Sequence, residues 1–400
     1  MRISFLISFL FSLSSMAQGL STIEGRVIDS ETGLPMGSVI IDMQYGGYAS
    51  TSNSAGHYIF NFPTIVEDSE TVAFSAIGYQ SQYFVAYELF DTTKSEIKLK
   101  KASPLDVKLG LSEARNLVQS AVDSIKNNYR NTSFFQNGFY QETAKIEGIG
   151  YVKIKEAMLR VERFPDQRKQ PDKIKSIKSR WVDWPGQSTK LEAWQFLNGP
   201  DVACRSIETE LPDFMTKRGL KSYSFTVDSF LVNYKDKRLY VVNFEPKSAN
   251  LSGGRSGKIF IEPVQKAIVR IEYELTRKGL NAVVGNGMGG IKLKGESLKF
   301  ISQYRWDKDK WILHENKMTV DLTYLDKLDN RFEAATHWEL SFLSTESREI
   351  SSSMIKDTDV LLSTDEFRRA NGLGMSYWEN QNHLMASPEM EKIAENRRRR

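Results

Sequence analysis

Cysteine is nearly absent from this chain: among 400 residues there is one, Cys204. A single thiol closes no intramolecular disulfide, so stability must come from a buried core, which a chain of this length supplies. With no histidine beside it in sequence, Cys204 reads as a small apolar residue rather than a nucleophile. Histidine is scarce as well. His57, His314, His337 and His383 show none of the spacings by which a zinc site collects its ligands, so neither a metal nor another cofactor is expected. No serine sits in a Gly-x-Ser-x-Gly elbow, and the carboxylates are too dispersed to single out a glycosidase pair, so no catalytic residue is assigned and the chain reads as non-enzymatic. A strong charge of one sign is missing too: 54 Lys+Arg stand against 50 Asp+Glu, a net +4 that does not call for a nucleic-acid partner. After the first residues no run is long and apolar enough to span a bilayer as a helix, and aromatic girdles at strand spacing, the mark of an outer-membrane barrel, are lacking.

Two glycine clusters tempt and fail. Gly285-Asn286-Gly287-Met288-Gly289-Gly290 has dinucleotide-like spacing, but that chemistry needs a strand before the glycines and a helix after them, and Ile291 to Lys294 reads as a strand. Gly253-Gly254-Arg255-Ser256-Gly257-Lys258 lacks the phosphate-loop spacing, and Ile259 stands where Ser or Thr is needed.

What is present begins with Arg2, an apolar run from Ile3 to Leu13 and the small residues Ser14 to Ala17, the pattern of a secretory signal peptide over 1–17. Export to the periplasm or the outer membrane is therefore expected. From Ile23 to Lys100 short β-branched and aromatic runs are cut by Gly33-Leu34-Pro35, Ser54-Ala55-Gly56 and Gly78-Tyr79, which predicts about seven strands in a sandwich over 18–103. Ile59, Phe62, Val72, Phe74 and Ile77 are the expected layer between its sheets. Gly25, Val27 and Asp29, Thr32 to Pro35, Asn53 to Tyr58 and Ser75 to Tyr79 together resemble the carboxypeptidase-like regulatory domain, a transthyretin-like sandwich found at the N-terminus of exported Bacteroidetes envelope proteins. The resemblance implies an accessory docking module, not a peptidase.

Ala114, Leu117, Val118, Ala121, Val122, Ile125 and Tyr129 fall on one helix face, with Ser112 as its cap, giving a helical connector over 104–137. From 138 to 355 strand-like runs dominate, including 239–244, 258–262, 267–275, 298–306 and 311–324, and an antiparallel sheet is predicted. Alternation such as Arg270-Ile271-Glu272-Tyr273-Glu274 predicts one wet and one covered face. Gly138 to Glu142, Gly257 to Glu262 and Tyr377 to Asn380 loosely resemble the second region of such exported proteins, C-terminal to their sandwich, which is similar to the curved sheet of lipoprotein carriers. A helical tail is expected over 356–400, capped by Ser387 and ending in Arg397 to Arg400.

One stretch mixes cations with aromatic rings: Arg168, Lys169, Lys173, Lys175, Lys178, Arg180, Trp181 and Trp184, with Trp194 beyond. It is either a surface for an anionic glycan or lipid headgroup or a solvated loop whose tryptophans pack inward. The sequence supports two functional readings. In the first, the sandwich docks on an envelope protein or outer-membrane component while the larger sheet binds a partner. In the second, the larger sheet carries a lipid or other apolar ligand, for which Trp306, Trp311 and Met318 are candidate lining.

Overall fold

A computed structural model describes residues 19–390 except 45–46, 65, 67–68, 90–94, 107–110, 166–169, 184–198, 249–250, 252, 285–290, 327–332, 365–366, 368–377, 379 and 388. The expected signal peptide, the glycine-rich run 285–290 and the terminal arginines lie outside the described residues.

Turn residues between short apolar runs fold the start of the chain into β1 (Leu20–Asp29), β2 (Ile40–Met43), β3 (Ala49–Thr51), β4 (His57–Pro63), β5 (Thr71–Ser75), β6 (Gln82–Val85) and β7 (Ser95–Leu99). They pair as β4-β1-β7 and β3-β2-β5-β6, the expected seven-stranded arrangement in two sheets. Val27, Val39, Ile41, Tyr58, Phe60 and Phe74 are buried in one apolar cluster between these strands. Parity corrects part of the sequence reading. Tyr58 and Phe60 enter the layer and Ile59 between them does not, while Ile77 packs against the core of the larger sheet. Adjacent residues of a strand serve opposite faces. The turn before β4 requires glycine: Gly56 has φ +79°, and a Cβ there would stand 2.4 Å from the Val27 carbonyl oxygen.

After β8 (Leu105–Asp106) come α1 (Leu111–Asp123) and α2 (Ile125–Asn128). Ala114, Val118 and Ala121 are fully buried, as their spacing predicts. The helix begins at Leu111, one residue before Ser112.

The rest of the chain builds β9 (Phe134–Ile146), β10 (Gly150–Arg163), β11 (Lys173–Asp183), α3 (Gly199–Ala203), α4 (Gly219–Ser222), β12 (Tyr223–Val227), β13 (Phe230–Tyr234), β14 (Lys237–Pro246), β15 (Arg255–Glu262), β16 (Ala267–Leu275), α5 (Arg277–Val284), β17 (Ile291–Asp307), β18 (Lys310–Asp326) and β19 (Glu333–Glu349). Twelve strands form one antiparallel sheet in the order β11-β10-β9-β19-β18-β17-β16-β15-β14-β13-β8, with β12 also on β14. β19 returns across almost 200 residues to lie beside β9, pairing Leu340 with Glu142. Register shifts at Met158/Leu159, Gln303/Tyr304 and Ser344/Glu346 mark bulges, and bulges bend a strand and raise its twist.

Alternation divides this sheet into two faces. Tyr140, Ala144, Val161, Leu340 and Phe342 belong to the main core, on the face crossed by the 199–222 segment. On the other face Phe139, Met158 and Leu343 hold Trp378 and Leu384. The expected helical tail runs differently over its described residues. Beyond β19 the Met354 and Ile355 N–H groups donate to the buried Glu162 carboxylate at 2.9 and 3.1 Å, and Leu361 N–H donates to the Ile174 carbonyl on β11 at 2.7 Å. Trp378 Nε1 then donates to Glu156 at 2.9 Å. Asn382 exchanges two hydrogen bonds with the Asn61 backbone of β4, tying the C-terminal segment to the sandwich. Ser387 Oγ accepts the Met390 N–H at 3.3 Å, as a helix cap does.

The sandwich rests on the second face of the large sheet, with Ile40 and Ile77 in contact with the main core and polar pairs beside them. Lys235 pairs with Asp42 at 2.8 Å, Arg305 Nη2 donates to the Gly47 carbonyl at 2.9 Å, and Arg130 pairs with Asp307 at 2.8 Å. His314 is the extra residue of the β18 bulge: Tyr304 pairs with Leu313 and Gln303 with Glu315. Its ring is fully buried, and burial, with the Arg305 and Lys235 cations, holds its pKa well below the ordinary 6.5. The native state keeps this imidazole neutral, whereas an unfolded chain takes up the proton once the pH drops below about 6.5. Stability from this group is therefore present above that pH and is lost as the pH falls. Urea unfolding of the wild type is expected to show a declining midpoint from pH 7 to 5, and His314→Gln a flatter one. Equal slopes for the two proteins would contradict this account.

Candidate functional site

The 199–222 segment lies across the first face of the sheet and is fastened by side chains of the strands beneath it. Asn316 Nδ2 donates to the carbonyls of Ala203 and Arg205, both at 2.7 Å. Tyr304 Oη accepts the Ile207 N–H at 3.1 Å, and burial pushes that phenol up to about 12, so it stays protonated at neutral pH. Arg163, wholly buried, donates to the Cys204 carbonyl, to Gln136 at 2.9 Å and to Asp172 at 2.6 Å. The start of α3 presses so close to β9 that a Cβ on Gly199 would stand 2.3 Å from Tyr140 Oη.

Between residues 205–216 and strands β15 to β17 the segment leaves a cavity of about 320 Å³. Ile207 and Leu211 form its roof, Ile271, Tyr273, Phe300 and Tyr304 its floor. Tyr273 and Phe300 stack with centroids 5.1 Å apart. The rim is charged: Arg255 pairs with Asp213 and lies 5.4 Å over the Tyr273 ring, while Arg205 faces Glu210 at 3.5 Å. Arg205 and Glu210 also border a more polar cavity of about 500 Å³ lined by Asp172, Asp201, Cys204 and Thr209. Burial raises the pKa of both aspartates and of the Cys204 thiol, which is itself buried. On the opposite face, Ser224, Asn243, Lys258, Glu272, Glu274 and Lys299 line an open groove of about 560 Å³, the wet face that alternation in β16 predicts.

The cation-rich stretch is mostly edge strand. Alternation puts Lys173, Lys175, Lys178 and Arg180 on one face of β11 and Trp181 on the other. Lys173 pairs with Asp357 at 2.7 Å, Lys175 with Asp359 at 2.8 Å, and Arg180 with Glu156, while Lys178 lies 5.6 Å over the Trp378 ring. Trp181 turns inward and receives the Lys155 ammonium 4.5 Å from its centroid. These cations are engaged by the chain itself, and charges along an edge strand discourage pairing with another sheet. Arg168, Lys169, Trp184 and Trp194 lie outside the described residues. Of the residues proposed to line an apolar site, Trp306 stands against Trp311 at 5.6 Å; Trp311 belongs to the main core, Trp306 and Met318 pack against it partly buried, and none of the three lines the cavity. Gly253 and Gly254 form a turn that leads into β15, a strand and not a phosphate-binding helix, and the run 285–290 joins a helix to a strand, the reverse of the dinucleotide order.

No protein-family model matches the chain, and no curated protein matches its sequence. Among solved structures, a DUF1329 family protein from Desulfovibrio piger aligns at 8% identity over 65% of this chain and 97% of its own, with TM-score 0.25. A LolA superfamily protein from Nitrosomonas europaea aligns at 9% identity over 60% and 98%, with TM-score 0.23, and a protein of unknown function from Bacteroides fragilis at 10% over 81% and 97%, with TM-score 0.16. These likenesses are too distant to carry an argument. The architecture rests on the strand pairings themselves.

Sequence reasoning did not reach the cavity. Its roof, Ile207 and Leu211, lies in a stretch with no periodicity, and its fastening residues, Tyr304 and Asn316, look like ordinary strand residues. Tyr304→Phe removes the acceptor of a buried N–H and is expected to lower stability by about 1–3 kcal/mol, measured by denaturant unfolding. A change within error would mean that the hydroxyl does not fasten the segment.

Proposed function

We propose that the large sheet and its covering segment bind an apolar or amphiphilic small molecule, and that the protein is a non-enzymatic carrier or binder of the cell envelope. The observation that carries this reading is the cavity of about 320 Å³ with Ile207 and Leu211 above and Ile271, Tyr273 and Phe300 below. Ligand sites are concave and largely apolar, with a few polar groups placed to orient the ligand, and volumes begin near ~300 Å³. At about 30 Å³ for each water-sized group, the cavity takes roughly ten heavy atoms, the size of one short chain rather than a multi-chain lipid. The charged rim suits a polar end left at the mouth.

The N-terminal sandwich is, on this reading, the docking module that its likeness to the carboxypeptidase-like regulatory domain implies, and its partner is an envelope or outer-membrane component. The leader pattern at residues 1–17 supports export. Docking alone explains the sandwich but leaves the covered cavity without a role, which favours the binding reading.

The test is native mass spectrometry of protein recovered from the envelope fraction of an expressing bacterium. The wild type is expected to carry an adduct that organic extraction releases, and Leu211→Trp, which fills the cavity from its roof, is expected to lose the adduct while circular dichroism stays unchanged. A clean apo mass for the wild type, or an adduct indifferent to Leu211→Trp, would defeat the proposal.

A further inference from the structure

Two cavities meet at one ion pair. Arg205 and Glu210 line the apolar cavity under Leu211 and also border the more polar cavity of about 500 Å³. The pair that parts the two spaces is loose: its N–O distance is 3.5 Å, the side chains are 54% and 61% exposed, and neither hydrogen-bonds another side chain among the described residues. Exposed ion pairs contribute little to stability, so these side chains separate at small cost and open one space into the other.

The two sides differ in chemistry. Beyond the ion pair the wall offers the Gln170 amide, the Thr209 hydroxyl, the Arg205 guanidinium and the carboxylates of Asp172, Asp201 and Glu210. Asp201, Arg205, Thr209 and Glu210 are exposed, and Gln170 and Asp172 are half-buried, so each has open surface to present. Arg163 answers Asp172 and the buried Glu208, while Arg205 answers Glu210 and Asp201. Among the described residues no carboxylate of this wall stands apart from a guanidinium. A head carrying a full charge therefore gains less here than one that both donates and accepts, as hydroxyl groups do. At about 30 Å³ for each water-sized group the polar cavity holds roughly sixteen heavy atoms, enough for one sugar ring.

We propose that the ligand spans both cavities and is a single-chain amphiphile with an uncharged, hydroxyl-rich head. Its chain lies under Leu211 and reaches towards Arg255, and its head passes between Arg205 and Glu210 to meet Gln170, Asp201 and Thr209. This rests on the binding reading above and adds the head group that the apolar cavity alone leaves undefined. A chain without such a head fills the first cavity and leaves the polar groups of the second to water.

Isothermal titration of the intact mature protein with octyl glucoside below its micelle concentration, and with octan-1-ol, octanoate and octylamine, tests this. The glucoside is expected to bind roughly ten-fold more tightly than the other three, as one or two added hydrogen bonds give. Gln170→Ala combined with Asp201→Ala is expected to lower its affinity several-fold. Octan-1-ol binding as tightly as the glucoside, either charged ligand binding more tightly, or a folded double variant with unchanged glucoside affinity would overturn the proposal and leave the apolar chamber standing. Binding of none of the four would overturn it together with the reading it rests on. The wild-type comparison decides even if the double variant fails to fold.

Discussion

Glu142 and Lys155 stand 3.1 Å apart on β9 and β10, and neither is more than 1% exposed. A buried ion pair is tolerated only where its remaining hydrogen-bonding capacity is used, since removing two charges from water costs more than their attraction returns. Here Tyr140 donates to Glu142 at 2.7 Å, and Lys155 donates to Thr364 of the C-terminal segment at 3.0 Å. A slip of either strand by one residue would turn one of these charges to the other face and leave its partner buried alone. The pair therefore helps fix the register of β9 against β10. Because β9 also pairs with β19, the order of the whole sheet, and the place where the 199–222 segment can lie, depend on the same constraint.

The same region shows how much was legible in the sequence. Strand runs such as Ala267–Leu275 agree with the structure to the residue, because one face there is wet and alternation is clean. The apolar stripe on α1 was equally plain. In β9 and β10 the rule of one wet face misleads, since Gln136, Glu142, Lys153, Lys155 and Arg163 are buried beneath chain segments distant in sequence. Charges that look solvated in one dimension are paired in three. Lys173 and Lys175, which look like a free cationic patch, meet Asp357 and Asp359 from a tail whose course no local pattern announces. The candidate cavity was illegible for the same reason: its roof and floor are joined only by long-range packing.

The two faces of the sheet divide the work. One carries the core, the cavity under Leu211 and, at Leu361, Thr364 and Phe367, part of the C-terminal segment, and the other supports the sandwich and the last described residues, where Trp378 packs on Phe139 at 5.1 Å. Asn382 bonded to Asn61, and Asn53 bonded to the Met385 carbonyl at 3.0 Å, make the sandwich and the chain's last described residues one joined body. The cavity bordered by Arg255 and Asp213 thus lies under a short covering segment, 205–216, laid on a scaffold braced from behind.

The central claim is that the space under Leu211 is a ligand chamber and not a packing defect. A crystal structure of protein purified from the native envelope without detergent tests it most directly. The account predicts continuous, elongated density between Leu211 and the Tyr273–Phe300 pair, with its outer end near Arg255. Ile207 and Leu211 collapsed onto Phe300, leaving no room for a guest, would contradict it.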